Sequence, residues 1–427
     1  MTRPTDPFFD QRIADWLETD PDHAPAQALD IVLAAVPSVR QRREAPWRSR
    51  PMTMPLRLAT AALLGALVLG GAFLLTGGGT RPSTTVPSPV ATAVAPSWSG
   101  SGALGTARVD FVAVTLVDGR ILAAGGSNAS GGMASAEIYD PATGTWAATG
   151  SMAKPRTMFT LTRLTDGKVL AVGGLGGEAE LYDPSTGAWT PTGFLSSGRV
   201  QHMAALLTDG RVLVAGGTEG EVPQAAEIYD PTRGTWTKTG VMNAWRASSS
   251  TTVLADGRVL VAAGFVAAPG DPASVEIYDP TTGAWTLTTS MASARNAGQT
   301  STLLADGRVL VTGGGGSTPE IFDPAKATWS ATRAIGTSAG ETATLLRDGR
   351  VLVAGGLGPN GTDAIAAAEI FDPVTGTWSP TASMRETRLS GQAAPLADGR
   401  VLVFGGSTTG SGGAFRSSTE VYTSGTP

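Results

Sequence analysis

The ionisable residues of this 427-residue chain fall into series that could do chemistry. Asp118, Asp166, Asp209, Asp256, Asp306, Asp348 and Asp398 each open the phrase DGRVLVAGG or a near copy, and Glu137, Glu180, Glu227, Glu276, Glu320, Glu369 and Glu420 follow downstream. Acids drawn from two neighbouring copies could form the paired carboxylates of a glycoside hydrolase, one protonating the leaving oxygen and the other attacking or activating water. Arg108, Arg156, Arg199, Arg246, Arg295 and Arg388 make a third series, which could ring an anion-binding funnel. Repetition favours a plainer reading. A side chain demanded once per unit at a fixed place serves the unit: Asp hydrogen-bonds backbone amides in its turn, and Arg braces neighbouring chain through packing and hydrogen bonds. Ser338 stands at the arginine position of the sixth unit, so a symmetric cationic ring is broken there. Metal and thiol chemistry have little to draw on. The chain has two histidines, His23 and His202, and no cysteine, which argues against disulfides and against a transition-metal site built on imidazole or thiolate. No metal or cofactor is expected.

The elements that carry these residues follow from their period. The seven Asp-Gly phrases start 42 to 50 residues apart, and each but the last leads through Glu-[Ile/Leu]-[Tyr/Phe]-Asp-Pro to a tryptophan. In the second unit TMFTLTRL is a half-polar strand, Lys168 to Val172 an apolar one closed by Gly173-Gly174, Glu180-Leu181-Tyr182 a third, and the stretch around Trp189 a fourth. Asp-Gly ahead of a strand is a strong hairpin signal. Four antiparallel strands per ~45 residues is the size of a propeller blade.

With the double glycine after the second strand, the Tyr of the third and the Trp of the fourth, the units resemble the Kelch family of β-propellers over residues 97–423, and the layout resembles bacterial membrane-anchored Kelch-repeat proteins. Departures are local: Ala263-Gly264 replaces the glycine pair in the fourth unit, and Phe322 and Phe371 replace Tyr in the fifth and sixth. The resemblance implies an all-β, seven-bladed Kelch-type propeller. Its last unit lacks the tryptophan strand, whereas Trp98 lies ten residues before Arg108, the interval from Trp146 to Arg156 and from Trp378 to Arg388. The segment around Trp98 is therefore expected to complete the seventh blade and remove the free sheet edges of an open array. Some Kelch propellers are copper radical oxidases that use two His, two Tyr and a Tyr–Cys crosslink. That set cannot be assembled without cysteine. The Asp-Pro turns superficially resemble the Asp-box of sialidases, but Asp140 to Trp146 is six residues, one more than that box has.

Ahead of the propeller the composition changes twice. Residues 58–75 carry no charge and as a helix would span roughly 27 Å, close to the roughly 30 Å of a bilayer core. A transmembrane helix is expected over 56–76, preceded by a short cytoplasmic arm over 1–55 with two candidate helices. Six arginines between 40 and 57, against the single acid Glu44, put the N-terminus in the cytoplasm and the propeller outside. Residues 77–96, rich in Gly, Pro, Ser and Thr, form a tether, and 424–427 a short tail. The net charge of −5 lies outside the arm, where 23 basic side chains face 28 acidic ones. Nucleic-acid binding by the propeller is disfavoured.

Function is expected in what varies between units. Connections from strand two to three, and from strand four to the next strand one, share one face of a propeller, while the Asp-Gly and Asp-Pro turns occupy the other. Loops 266–274, 357–368 and 407–419 stand out on the first face, the last holding Phe415 and Arg416. Asp110, Met158, Gln201, His202, Ser248, Gln299, Glu341 and Ser390, just past the arginine positions, are expected at the channel mouth. The expected role is non-catalytic binding of an extracellular protein or glycan through these residues. Two alternatives accompany it: signalling to a cytoplasmic partner of the arm, similar to a transmembrane anti-sigma factor, or a carbohydrate-active enzyme using Glu341 or Asp110.

Overall fold

The computed structural model describes residues 95–425, apart from 175, 219–224, 267–269 and 410–412. The expected arm, membrane span and nearly all of the tether lie outside the described residues, as does His23. Among the described residues no helix is long and apolar enough to cross a membrane.

Seven four-stranded antiparallel sheets make up the described chain. Blade one uses Val112–Thr115, Ile121–Ala124, Ala136–Asp140 and Thr145–Thr149, in that spatial order, and the next five blades repeat the arrangement. The first strand of each blade contacts that of the next, and the seventh contacts the first, so the ring is closed. Closure uses the N-terminal strand: Ser97–Ser101 pairs with Thr419–Thr423, placing Trp98 opposite Tyr422. Trp98 is buried, its ring 5.1 Å from that of Tyr422, and its Nε1–H donates to the Ala382 carbonyl at 2.7 Å. The Trp-to-Arg interval thus located the closing strand correctly.

The core lies between blades. Second strands such as Val259–Ala262 and Val351–Ala354 are buried at every residue, because neighbouring blades cover both sides of each sheet. Their unbroken Val-Leu-Val-Ala runs meet this demand, each fully buried Val or Leu contributing about 1.5–3 kcal/mol. Phe111 and Tyr139 of blade one pack with Leu402, Phe404 and Val421 of blade seven. Fourth strands have one wet side, and their tryptophan turns inward onto the third-strand aromatic, as in Tyr182–Trp189 at 5.0 Å. Tyrosine hydroxyls reach the preceding blade: Tyr182 bonds Thr149 and Tyr229 bonds Thr192, both at 2.7 Å. Two short ribbons add to the blades, Ser127–Asn128 with Gly131–Gly132 and Arg246–Ala247 with Phe265–Val266.

Candidate functional site

The arginine and glutamate series pair with each other inside the blades. Arg108–Glu137, Arg156–Glu180, Arg199–Glu227, Arg246–Glu276, Arg295–Glu320 and Arg388–Glu420 lie 2.7 to 3.4 Å apart, with side chains no more than 8% exposed. In blade four Arg246 Nη1 also donates to the Ala263 and Ser274 carbonyls, at 3.1 and 2.9 Å. Glu276 accepts the Asn243 and Ala244 amides, fastening the connection that enters the blade. The Arg246 carbonyl meanwhile accepts the Gly217 N–H of the preceding blade at 3.0 Å. Each arginine therefore ties its own blade with its side chain and its neighbour with its backbone. Burial draws the Arg246 guanidinium below its ordinary pKa, against the opposing pull of Glu276. The Asp-Gly acids serve turns: Asp256 accepts the Arg258 amide and pairs with its guanidinium at the surface.

Two residues past five of the arginines the backbone enters the left-handed region: Asp110, Met158, Gln201, Ser248 and Ser390 have φ between 51° and 56°. Gly298, three past Arg295, takes the place in blade five and Gly340, two past Ser338, in blade six. A left-handed non-glycine residue costs about 1–2 kcal/mol, so something must hold it. The Gln201 N–H donates to the Met158 carbonyl and the Ser248 N–H to that of Gln201, at 2.9 and 2.8 Å; Gly340 likewise donates to Gly298, and Ser390 to Gly340. Gln299 extends the series with its side chain, Nε2 donating to the Ser248 carbonyl at 2.7 Å. These bonds form a collar from blade to blade at the variable-face end of the first strands. The structure brings Asp110, Met158, Gln201, Ser248 and Ser390 together there, half-buried. Sequence reasoning missed Gly298 and Gly340, although glycine next to a strand is itself a signal of positive φ.

The next position turns into the seam between blades. Phe111 and Phe159 fill it in blades one and two, His202 in blade three and Glu341 in blade six. The space they occupy exists because the preceding blade offers glycine. A Cβ on Gly125 would lie 2.7 Å from Phe159, one on Gly173 2.6 Å from His202, and one on Gly313 would collide with the Glu341 carboxyl. His202 and Glu341 are only 6% and 5% exposed. His202 Nε2 shares a hydrogen bond with the Thr160 hydroxyl at 2.9 Å, while Nδ1 has no well-formed partner. Burial, helped by the Arg199 charge, lowers its pKa to about 3. Glu341 Oε1 accepts the Thr312 hydroxyl at 2.7 Å, Oε2 is unpartnered, and burial pushes the carboxyl above its ordinary pKa.

These two seam residues predict opposite pH sensitivities. The unfolded chain binds a proton at His202 near pH 6.5 and the folded one only near 3, so folding stability is full above 6.5 and falls by about 1.4 kcal/mol per pH unit as pH drops through that window. Glu341 has the reverse sign: its contribution is full below 4.5 and declines as pH rises above it. Urea unfolding of His202→Phe should show a flatter loss of stability between pH 6 and 4 than the parent. Glu341→Gln should be the more stable relative to the parent the higher the pH. Parallel pH profiles for parent and variants would count against both assignments.

The long loops are organised by local bonds. Loops 357–368 and 407–419 are joined by a bridge between Asp363 and Thr409, over a small cluster of Leu357, Ala364 and Leu389. Phe415 bridges Ser407, and Arg416 is held by Glu386 at 2.6 Å and by the Thr387 carbonyl at 2.7 Å. Loop 266–274 starts beside Phe265, which meets Trp245 edge-on at 5.8 Å.

A copper radical centre does not fit these residues. All five tyrosines stand in third strands with their hydroxyls bonded to a Ser or Thr of the adjacent blade. His202 is neutral and walled into a seam, and there is no thiol. Among the described residues no group of three or more His, Cys, Asp and Glu side chains could hold a metal.

The Kelch motif model matches residues 110–153, 246–292 and 342–385, that is, segments of blades one, four and six. Among solved structures, a fungal alcohol oxidase of the AA5 family in complex with copper is similar at 19% identity and a TM-score of 0.64, covering 77% of this chain and 76% of that one. A protein titled YjhT is similar at 15% identity and a TM-score of 0.48, covering 75% of this chain and 96% of that one. No curated protein sequence matches significantly. At these identities the likeness to solved structures concerns the fold alone. Motif matches, glycine pairs, Tyr–Trp stacks and seven closed blades together show that the chain belongs to the Kelch-repeat family of β-propellers.

Proposed function

We propose that the propeller is a membrane-anchored, extracytoplasmic recognition module that binds a protein or glycan without catalysis, through its variable-loop face. One observation carries this reading: the repeated ionisable groups are consumed in scaffold work, while non-repeated sequence is concentrated in loops of a single face. Six arginines are neutralised by buried glutamates. The collar residues and the joined loops 357–368 and 407–419 then supply polar and backbone groups at the mouth, with Phe415 half-buried beside them. The strand Ser97–Ser101 starts beside Thr423, at the repeated-turn end. A tether entering there leaves the variable face free to point away from the bilayer, which suits capture of an extracellular partner.

The test is a binding screen of purified residues 95–427 against glycans and cell-surface proteins, with alcohol oxidation and glycan hydrolysis assayed on the same preparation. Saturable binding without turnover is the expected result. Turnover abolished by Glu341→Gln or Asp110→Asn would replace the reading with an enzyme.

A further inference from the structure

We propose that blade six carries a slot for a guanidinium group supplied from outside, and that the ligand of the variable face is an arginine-bearing protein or peptide. The ligand class rests on the recognition reading above; the slot itself rests on the propeller's own internal precedents. Ser338 holds the arginine position of this blade: its carbonyl accepts the Gly315 N–H at 2.9 Å, as the Arg156 carbonyl accepts that of Gly126 at 2.8 Å. Ala339 bridges Leu357 as Val109 bridges Ser127, which fixes the register. The Ser338 hydroxyl turns aside to the Gly358 carbonyl at 3.0 Å.

The carbonyls that the six arginines grip elsewhere are left without a guanidinium here, and the glutamate is met only from outside, by Arg333. In every other blade Nη1 donates to the carbonyl after the second strand, as Arg388 does to Gly405 at 2.6 Å. The equivalent Gly355 is buried, and its carbonyl receives no donor among the described residues. Among the described residues the Ala367 carbonyl beside it accepts only the Gly355 N–H. Between these carbonyls and Glu369 lies a cavity of ≈ 10 Å³, walled by Val353, Ile335 and Ile365, about enough for one water. The slot opens on the variable face, since Ala367 is exposed and the Glu369 side chain is 17% exposed, against 8% or less for its six counterparts. Arg333 caps that carboxylate from the solvent side at 2.5 Å while itself half exposed. An incoming guanidinium would displace it.

The geometry selects arginine over lysine. One prong must reach a pair of carbonyls and another a carboxylate, a forked demand that a planar guanidinium meets and a point-charge ammonium does not.

Thermal unfolding of the full-length protein tests the slot. Its Tm is compared in about 50 mM guanidinium chloride and in equal sodium or ammonium chloride, with Glu369→Gln as reference to cancel general denaturant action; site binding should leave the parent about 2 °C better protected by guanidinium than the variant. Arg333→Ala should enlarge the response. Ser338→Arg should raise the Tm in sodium chloride and abolish the response, and a Gly-Arg-Gly peptide should protect the parent where Gly-Lys-Gly does not. Equal guanidinium responses in the parent and Glu369→Gln, or equal protection by ammonium, would overturn the proposal, and this comparison stands even if Ser338→Arg does not fold. A failed slot leaves recognition by the rest of the face standing. A face that binds nothing in the screen would sink the recognition reading without altering the guanidinium response.

Discussion

Arg246→Ala is expected to cost about 3–5 kcal/mol of folding stability, the range for removing one partner of a buried ion pair. Arg246 and Glu276 are both fully buried, so truncation leaves the Glu276 carboxylate without its counter-charge. It also strands the Ser274 carbonyl and leaves that of Ala263 with the Ser249 hydroxyl alone. Arg258, whose pair with Asp256 is 39% and 49% exposed, provides the contrast: Arg258→Ala should cost below about 1 kcal/mol. Urea midpoints for the two variants decide whether the series is scaffold. Similar, small losses in both would mean that the buried arginines are not what holds the blades, and would reopen a ligand role for them.

Removing residues 1–102 should have a still larger effect: loss of a single cooperative unfolding transition, with association that grows with concentration. The deletion takes away Trp98 from the Tyr422 ring and the Ser101 hydroxyl from Tyr139. It also bares Thr419–Thr423, creating an unpaired strand edge of the kind that templates aggregation. Trp98→Ala, which keeps the strand but empties its core position, should cost about 3–5 kcal/mol and leave a monomer. Light scattering and calorimetry on chains starting at 95 and at 103 separate the cases. A monomeric, cooperatively folding chain from 103 would show that the ring does not depend on the N-terminal strand.

Much of this was legible in the residues, for identifiable reasons. The blade count and the closing strand follow from short-range intervals, Trp to Arg and Asp-Gly to Glu, which local turn chemistry keeps nearly constant. The structural role of the acids and arginines was legible from their repetition, but not that they pair with one another, because Arg108 and Glu137 are 29 residues apart on different segments. The left-handed collar was hidden because Met158, Gln201, Ser248 and Ser390 share no side-chain property, only a place held by inter-blade backbone bonds. His202 and Glu341 drew notice as polar exceptions, but the pocket that buries each is made by a glycine of the preceding blade. No periodicity within one unit reports such a contact.

The central claim, recognition through one face, is tested most directly by the affinity of the ligand recovered in the screen for three forms of residues 95–427: the parent, one with loop 407–419 shortened, and a double variant on the opposite face. Val117→Asp with Val374→Asp serves for the last, since these residues are 75% and 94% exposed at the repeated turns. Shortening the loop is expected to abolish binding at unchanged Tm while the double variant binds as the parent does. Binding that survives the shortened loop and is lost in the double variant would contradict that claim.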